Sequence, residues 1–140
     1  MKTKTLFLLC LFLGIGFTQL SAQSEVVELT WDYWNPCFCD GEQVDYVIGT
    51  AEGHCVFHYD NDGNLVWGNY KVRGEGTNED GETFKIKEKD KFDFVSGIMT
   101  FHYNLKGDEG THYIGSASWD VYNDPNGENI VVHNSSCPDN

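Results

Sequence analysis

A chain of 140 residues with 22 acidic and nine basic side chains, a net charge of −13 and 14% aromatic residues suits one acidic domain with one core. That balance argues against binding DNA, RNA or anionic lipid, all of which need basic patches. It fits an extracellular protein kept in solution by its charge, or one that meets a cationic partner.

The chain opens with lysines at positions 2 and 4, an apolar run from Leu6 to Phe17 and the small pair Ser21-Ala22. These read as a secretory signal peptide over residues 1–22, because the apolar run is too short and too early for a membrane span. No second long apolar stretch follows. Residues 23–140 are therefore expected to form one secreted domain, extracellular or periplasmic, with no membrane span. Without the signal, seven basic residues against 22 acidic ones leave a net charge of about −15.

Cys10 is lost with the signal, leaving Cys37, Cys39, Cys55 and Cys137. Four cysteines in an exported chain read as two disulfides rather than a zinc site. Cys37 and Cys39, separated by one residue, make poor partners for each other, so two connectivities remain. Cys37 with Cys137 and Cys39 with Cys55 is the favoured one, because it ties the two ends of the domain. Closing a loop of about 100 residues contributes roughly 4 to 5 kcal/mol in the chain-entropy model.

In chain order, residues 25–34 are rich in Val, Thr, Trp and Tyr and read as a first strand, which Pro, two Cys and Gly break over residues 35–41. Residues 44–49 alternate in polarity, and a short turn near Ala51-Glu52 is expected to pair them with residues 54–59. That register puts Val44, Tyr46 and Ile48 on one face with Cys55, Phe57 and Tyr59, and points Cys55 into the core. After a turn at Asp60-Asn61-Asp62-Gly63, Leu65 and Trp67 continue this face, and the apolar set then shifts to Tyr70, Val72, Gly74 and Gly76. The shift implies a bulge, placed at Gly68. Beyond the turn Asn78-Glu79-Asp80-Gly81, Phe84 and Ile86 fall opposite Gly76 and Gly74, small against large, as a tightly curled sheet requires. Lys85 to Lys91, interleaved with Glu88 and Asp90, reads as a solvated edge.

The stretch from Phe101 to Val121 states the pattern most fully. A turn over Gly107 to Gly110 sets residue 105 opposite 113, 103 opposite 115 and 101 opposite 117. Leu105, Tyr103 and Phe101 then share an apolar face with Tyr113, Gly115 and Ala117, while His102, Asn104 and Lys106 face away. A last turn at Asp124-Pro125-Asn126-Gly127 sets Val121 against Val131 and Trp119 against His133 on the inner face. Each of these turns places a small acidic or amide residue, or glycine, first and glycine fourth, where a positive φ is needed.

The fold expected is all-β: eight antiparallel strands in an up-and-down meander closed into a small barrel, with a two-sheet sandwich as the alternative. Its inner face offers Tyr46, Phe57, Trp67, Tyr103, Tyr113, Trp119 and His133 as ligand-binding candidates. The first functional expectation is a non-enzymatic carrier of a small apolar or aromatic ligand. The second is an extracellular module that binds another protein, and the third an isomerase or cyclase using His133 and Tyr113 as acid and base. No nucleophile motif, paired catalytic carboxylates or phosphate loop is visible, and no metal or cofactor is expected. Asp60 to Asn64 has oxygen ligands at alternate positions but lacks the remainder of a calcium loop, so it reads as a turn.

Asn35-Pro36-Cys37, Gly41-Glu42, Arg73-Gly74-Glu75-Gly76-Thr77 and the closing Gly127-Glu128 strand with a terminal cysteine resemble a family of uncharacterised small secreted proteins that open on Asn-Pro-Cys and close on a single Cys. The resemblance implies pairing of Cys37 with Cys137 and brings no activity. Cys39 and Cys55 are additional to it. More distantly, the short-linked barrel is similar in architecture to lipocalins and to the allene oxide cyclase and dirigent group, although a lipocalin would show Gly-x-Trp on its first strand, whereas here Thr30 precedes Trp31.

Overall fold

A computed structural model describes residues 23–138; the expected signal peptide over residues 1–22 lies outside the described residues. Seven strands form one antiparallel sheet: β1 (Ser24–Cys39), β2 (Glu42–Tyr59), β3 (Leu65–Thr77), β4 (Thr83–Asp93), β5 (Ile98–Gly107), β6 (His112–Asp120) and β7 (Val131–Ser136). Each pairs with the next in sequence, so the topology is an up-and-down meander, and no helix occurs among the described residues.

Seven strands replace the expected eight because β2 runs unbroken from Glu42 to Tyr59, with no turn at Ala51-Glu52. Ala51 is fully buried between Trp31 of β1 and Gly74 of β3. The turn lies earlier, at Asp40-Gly41, where both residues have positive φ (52° and 87°). An Asp-Gly pair is the two-residue hairpin turn whose twist matches that of its strands. Accordingly, β1 does not break at Asn35-Pro36-Cys37 but continues to Cys39. Pro36 is tolerated because β1 has a ladder partner on one side only, so its missing N–H interrupts no second ladder.

Relocating that turn changes the parity of the start of β2. Val44, Tyr46 and Ile48 lie outside and exposed, whereas Val47, Ala51 and Cys55 are buried. The bulge in β3 is also displaced: it falls where Tyr59 pairs Leu65 and His58 pairs Trp67, not at Gly68. Trp67 therefore stands on the outer face, stacked on His58 at 3.6 Å with the Lys91 ammonium 4.8 Å from its ring.

The later hairpins match expectation. Phe84 faces Gly76, Ile86 faces Gly74, and residues 105, 103 and 101 face 113, 115 and 117. Gly63, Gly81, Gly110 and Gly127 all take positive φ. The Asp124 turn, however, sits inside a longer connection over residues 121–130, so Val131 pairs Ser118 rather than Val121. A bulge then leaves His133 on the outside, bonded to Ser118 Oγ at 2.9 Å.

A single sheet with no covering layer buries one face only by curling onto itself. Between β2 and β3 the inner face is nearly bare of side chains, Gly49 facing Gly76 and Ala51 facing Gly74. A Cβ on Gly49 would lie 2.0 Å from the Glu75 carbonyl oxygen, and one on Gly74 2.2 Å from that of Thr50. The curl brings the two ends of the sheet together: Cys39 is bonded to Cys137, and the Gly41 N–H donates to Ser135 Oγ at 2.8 Å. This disulfide corrects the expected pairing. Cys37 and Cys55 are free thiols buried in the interior, and Cys39 takes the role expected of Cys37 because Cys37 points inwards.

Two outcomes follow. Gly74→Ala, which forces backbone apart at the bend, is expected to lose about 1–3 kcal/mol of stability in urea unfolding. Non-reducing peptide mapping is expected to recover a Cys39–Cys137 link, with Cys37 and Cys55 alkylated only after unfolding.

Candidate ligand-binding cavity

The site is built on β4, whose sequence alternates strictly. Phe84, Ile86, Glu88 and Asp90 are buried on the inner face, while Lys85, Lys87, Lys89 and Lys91 are exposed on the outer one. The run read as a solvated edge is thus a central strand, and its two acids point into the protein. Glu88 lies between Val72 of β3 and Tyr103 of β5, and Asp90 between Tyr70 and Phe101. Only 8% and 7% of their surfaces remain exposed.

The interior has two halves. At one end Phe38, Val47, Phe84, Leu105 and Tyr113 pack into a solid core. Tyr113 stacks on Phe84 at 5.7 Å and donates to Asp45 Oδ2 at 3.1 Å. Tyr103 fills the middle; a Cβ on Gly115 would meet its hydroxyl at 2.4 Å. At the other end lies a cavity of about 620 Å³, open to solvent beside the exposed Leu29 and Trp34 of β1, whose walls include Trp31, Tyr70, Phe92, Met99, Phe101 and Trp119. Trp31 lies over Gly53, where a Cβ would meet its ring at 2.4 Å, and Trp119 is anchored by its indole N–H to the Asp124 carbonyl at 2.5 Å. The longer β6–β7 connection therefore positions a cavity wall.

Polar groups enter this apolar space from two strands. Glu88 and Asp90 come from β4, and Tyr33 and Asn35 from β1. The Tyr33 hydroxyl donates to Glu88 Oε1 across the interior. Asp90 Oδ1 and Asn35 Nδ2 have no hydrogen-bond partner in the protein. Burial pushes both carboxyls well above the usual carboxylate range. Hydrogen bonds from Tyr33 and Asp90 oppose this at Glu88, whereas at Asp90 the Glu88 charge and the hydrogen bond to Glu88 add to it and the His102 backbone opposes it. Burial likewise raises Tyr33 and Cys37, so these two neighbours of the pair also favour their neutral forms.

Of the seven candidates from sequence, Trp119 alone lines the cavity. Tyr103 and Tyr113 are inside but belong to the filled half. Phe57 sits in an aromatic cluster with Tyr70 and Phe94, at 5.9 and 6.1 Å. Tyr46 is outside, stacked on Trp34 at 5.6 Å, and Trp67 and His133 are outside as well. His133 and Tyr113 are not brought together, which removes the geometry of the expected acid–base pair. The acidic pair was missed, although the parity of Phe84 and Ile86 carries it: any residue two or four further along that strand must face inwards.

The outer surface shows a matching segregation. Lys71, Arg73, Lys85, Lys87, Lys89, Lys91 and Lys106, which are all the basic residues after position 22, lie exposed on the outer faces of β3, β4 and β5. Lys71 stands opposite Lys89 and Arg73 opposite Lys87, although like charges in such positions repel. Glu52 and Glu75 border the patch, and among the described residues no lysine or arginine is in an ion pair.

Comparison with protein-family models, with curated proteins and with solved structures gives no match for this chain.

Because both carboxyls bind protons more tightly when folded than when unfolded, the folded state carries more protons above the unfolded carboxylate pKa of about 4. Stability is therefore expected to fall as pH rises from about 4 through neutrality, the reverse of a salt-bridged acid. Thermal melts across that range should show a shallower decline for Asp90→Asn and Glu88→Gln than for the wild type.

Proposed function

We propose that this chain is a secreted, non-enzymatic carrier in which the curled sheet closes into a small barrel around a ligand cavity. The observation that carries this reading is the half-filled interior. A domain whose inner face only had to be buried would pack both ends, whereas here one end is solid and the other holds about 620 Å³ between aromatic walls. That volume is in the range of small-molecule sites, and the few polar groups converge at one side of it. The carrier takes up an apolar or aromatic molecule whose body rests on the aromatic walls.

A second reading, an interaction module, is favoured by the segregated cations. On a chain with this acidic balance, seven unpaired basic side chains on three adjacent strands give a face suited to an anionic partner, in place of the cationic partner that net charge implied. The two readings use opposite faces of the same sheet and are compatible.

The carrier is tested with N-phenyl-1-naphthylamine, which is uncharged at neutral pH. Its fluorescence is expected to rise on binding and to be lost in Met99→Trp, which fills the open half. No rise with the folded, oxidised protein would overturn the carrier reading. For the module, wild-type protein is expected to be retained on a sulfated-polysaccharide column at low salt and a Lys87→Glu/Lys89→Glu variant to flow through; equal elution of both would remove that reading.

A further inference from the structure

We infer that the cavity selects a ligand with a protonated amine on an apolar or aromatic body, the ammonium seated against Asp90 and Glu88. The inference rests on the carrier reading and adds the ligand's charge and head group.

Two consecutive inward positions of β4 are acidic, where the two before them are Phe84 and Ile86. Packing gives no reason for this, since burying a carboxylate costs far more than burying a leucine unless the charge is paired. Nothing in the protein pairs it. All seven basic side chains point outwards from the same strands. The groups that face the two carboxyls are Tyr33 and Cys37 from β1, Cys55 from β2, Tyr70 from β3 and Tyr103 from β5. None of these carries positive charge. Tyr33 satisfies one oxygen of Glu88, Glu88 and Asp90 hydrogen-bond to each other, the His102 backbone reaches Asp90, and Asp90 Oδ1 remains an acceptor with no donor, nine-tenths buried at the cavity wall.

A ligand ammonium supplies what is missing: an N–H donor for Asp90 Oδ1, and a positive charge beside the hydrogen-bonded carboxyl pair. Trp31, Phe101 and Trp119 provide aromatic surface for the apolar body and for cation–π contact. A divalent metal ion fits less well, since no group of three His, Cys, Asp or Glu side chains suited to one exists among the described residues. A carboxylate ligand is repelled, and a neutral one leaves the acids uncompensated.

Binding of a cation also stabilises the ionised form of the pair, so protons held by the empty site are released. Affinity for the amine should therefore rise with pH from mildly acidic to mildly alkaline conditions, while the ligand itself remains protonated.

The test displaces N-phenyl-1-naphthylamine with three probes of one shape: 2-phenylethylamine, 2-phenylethanol and phenylacetate. The amine is expected to bind about tenfold or more tightly than the alcohol, and phenylacetate more weakly than either. Amine affinity should increase between about pH 5 and 8 with alcohol affinity flat, and calorimetry in two buffers of different ionisation heat should register proton release. In Asp90→Asn, and further in Asp90→Asn/Glu88→Gln, the amine-to-alcohol ratio should fall towards one. Equal binding of amine and alcohol to the wild type, or a preference that survives the double substitution, overturns the amine inference and leaves the carrier intact. Should these variants not fold, the pH dependence of the wild type alone decides the question. Failure of every probe and of the fluorophore overturns the carrier reading itself.

Discussion

A lone sheet has to cover its own apolar face, and the rest of this structure depends on how that is achieved. The bend between β2 and β3 is made by removing side chains: Gly49 faces Gly76 and Ala51 faces Gly74, and a Cβ on any of the three glycines would collide with the neighbouring backbone. With one side of the curl reduced to backbone, the opposite side has to supply the volume. It does so at one end with Phe84, Leu105 and Tyr113, which reach across to Val47 and Asp45. At the other end the large residues stand as walls rather than filling, and space is left between them. The cavity is a consequence of where bulk is placed along the strands, under the same curl that closes the core.

Short-range signals in the sequence specified much of this. The β5–β6 hairpin could be read to the residue, because a four-residue turn with glycine last sets a register and the alternation of Phe101, Tyr103 and Leu105 has only one apolar face. The burial of Cys55 and the small-against-large pairing of Gly74 with Ile86 followed in the same way. Misplacing one turn had a wide effect. Asp40-Gly41 lies directly after a Pro and two Cys, a cluster that reads as a break rather than a hairpin, yet its two positive φ values join β1 to β2. Because side chains alternate with period two, setting the turn near residue 51 assigned Val44, Tyr46 and Ile48 to the wrong face while leaving Cys55 and Phe57 on the right one. The location of Trp67 and His133 failed for a related reason: Trp67 follows a bulge and His133 is the extra residue of another, and a bulge reverses parity at a point that pattern alone does not fix.

The acidic pair was hidden for a different reason. Charged residues in a run of four lysines and two acids average to a solvated surface when they are taken as composition. Taken as a strand, they separate completely: lysines to water, acids to the interior. The same averaging concealed the outer face. A net charge of −13 says nothing about where the few cations lie, and here they gather on three neighbouring strands with no carboxylate partner. Net charge constrains long-range behaviour, whereas the placement of individual charges decides what a surface recognises.

Under the carrier proposal, the two halves of the interior also divide stability from ligand binding. The Cys39–Cys137 bond, the hydrogen bond from Gly41 to Ser135 and the aromatic stack of Phe84 on Tyr113 all support the filled end. Asp90 Oδ1 and Asn35 Nδ2 at the hollow end have no partner, as does the Tyr103 hydroxyl in the middle, and each costs folding free energy that the protein does not recover from its own contacts. Such a cost persists where the rest of the fold over-determines the local structure, and a disulfide that closes a long loop is well placed to do this. The raised carboxyls have the same meaning in thermodynamic terms. Proton uptake, chiefly at Asp90, reduces the buried charge of an empty site at neutral pH, at the cost of a site less stable than a packed one. Under the carrier proposal, a cation that fills the cavity and replaces those protons binds and stabilises at once, so occupancy and folding stability are linked through the same two side chains.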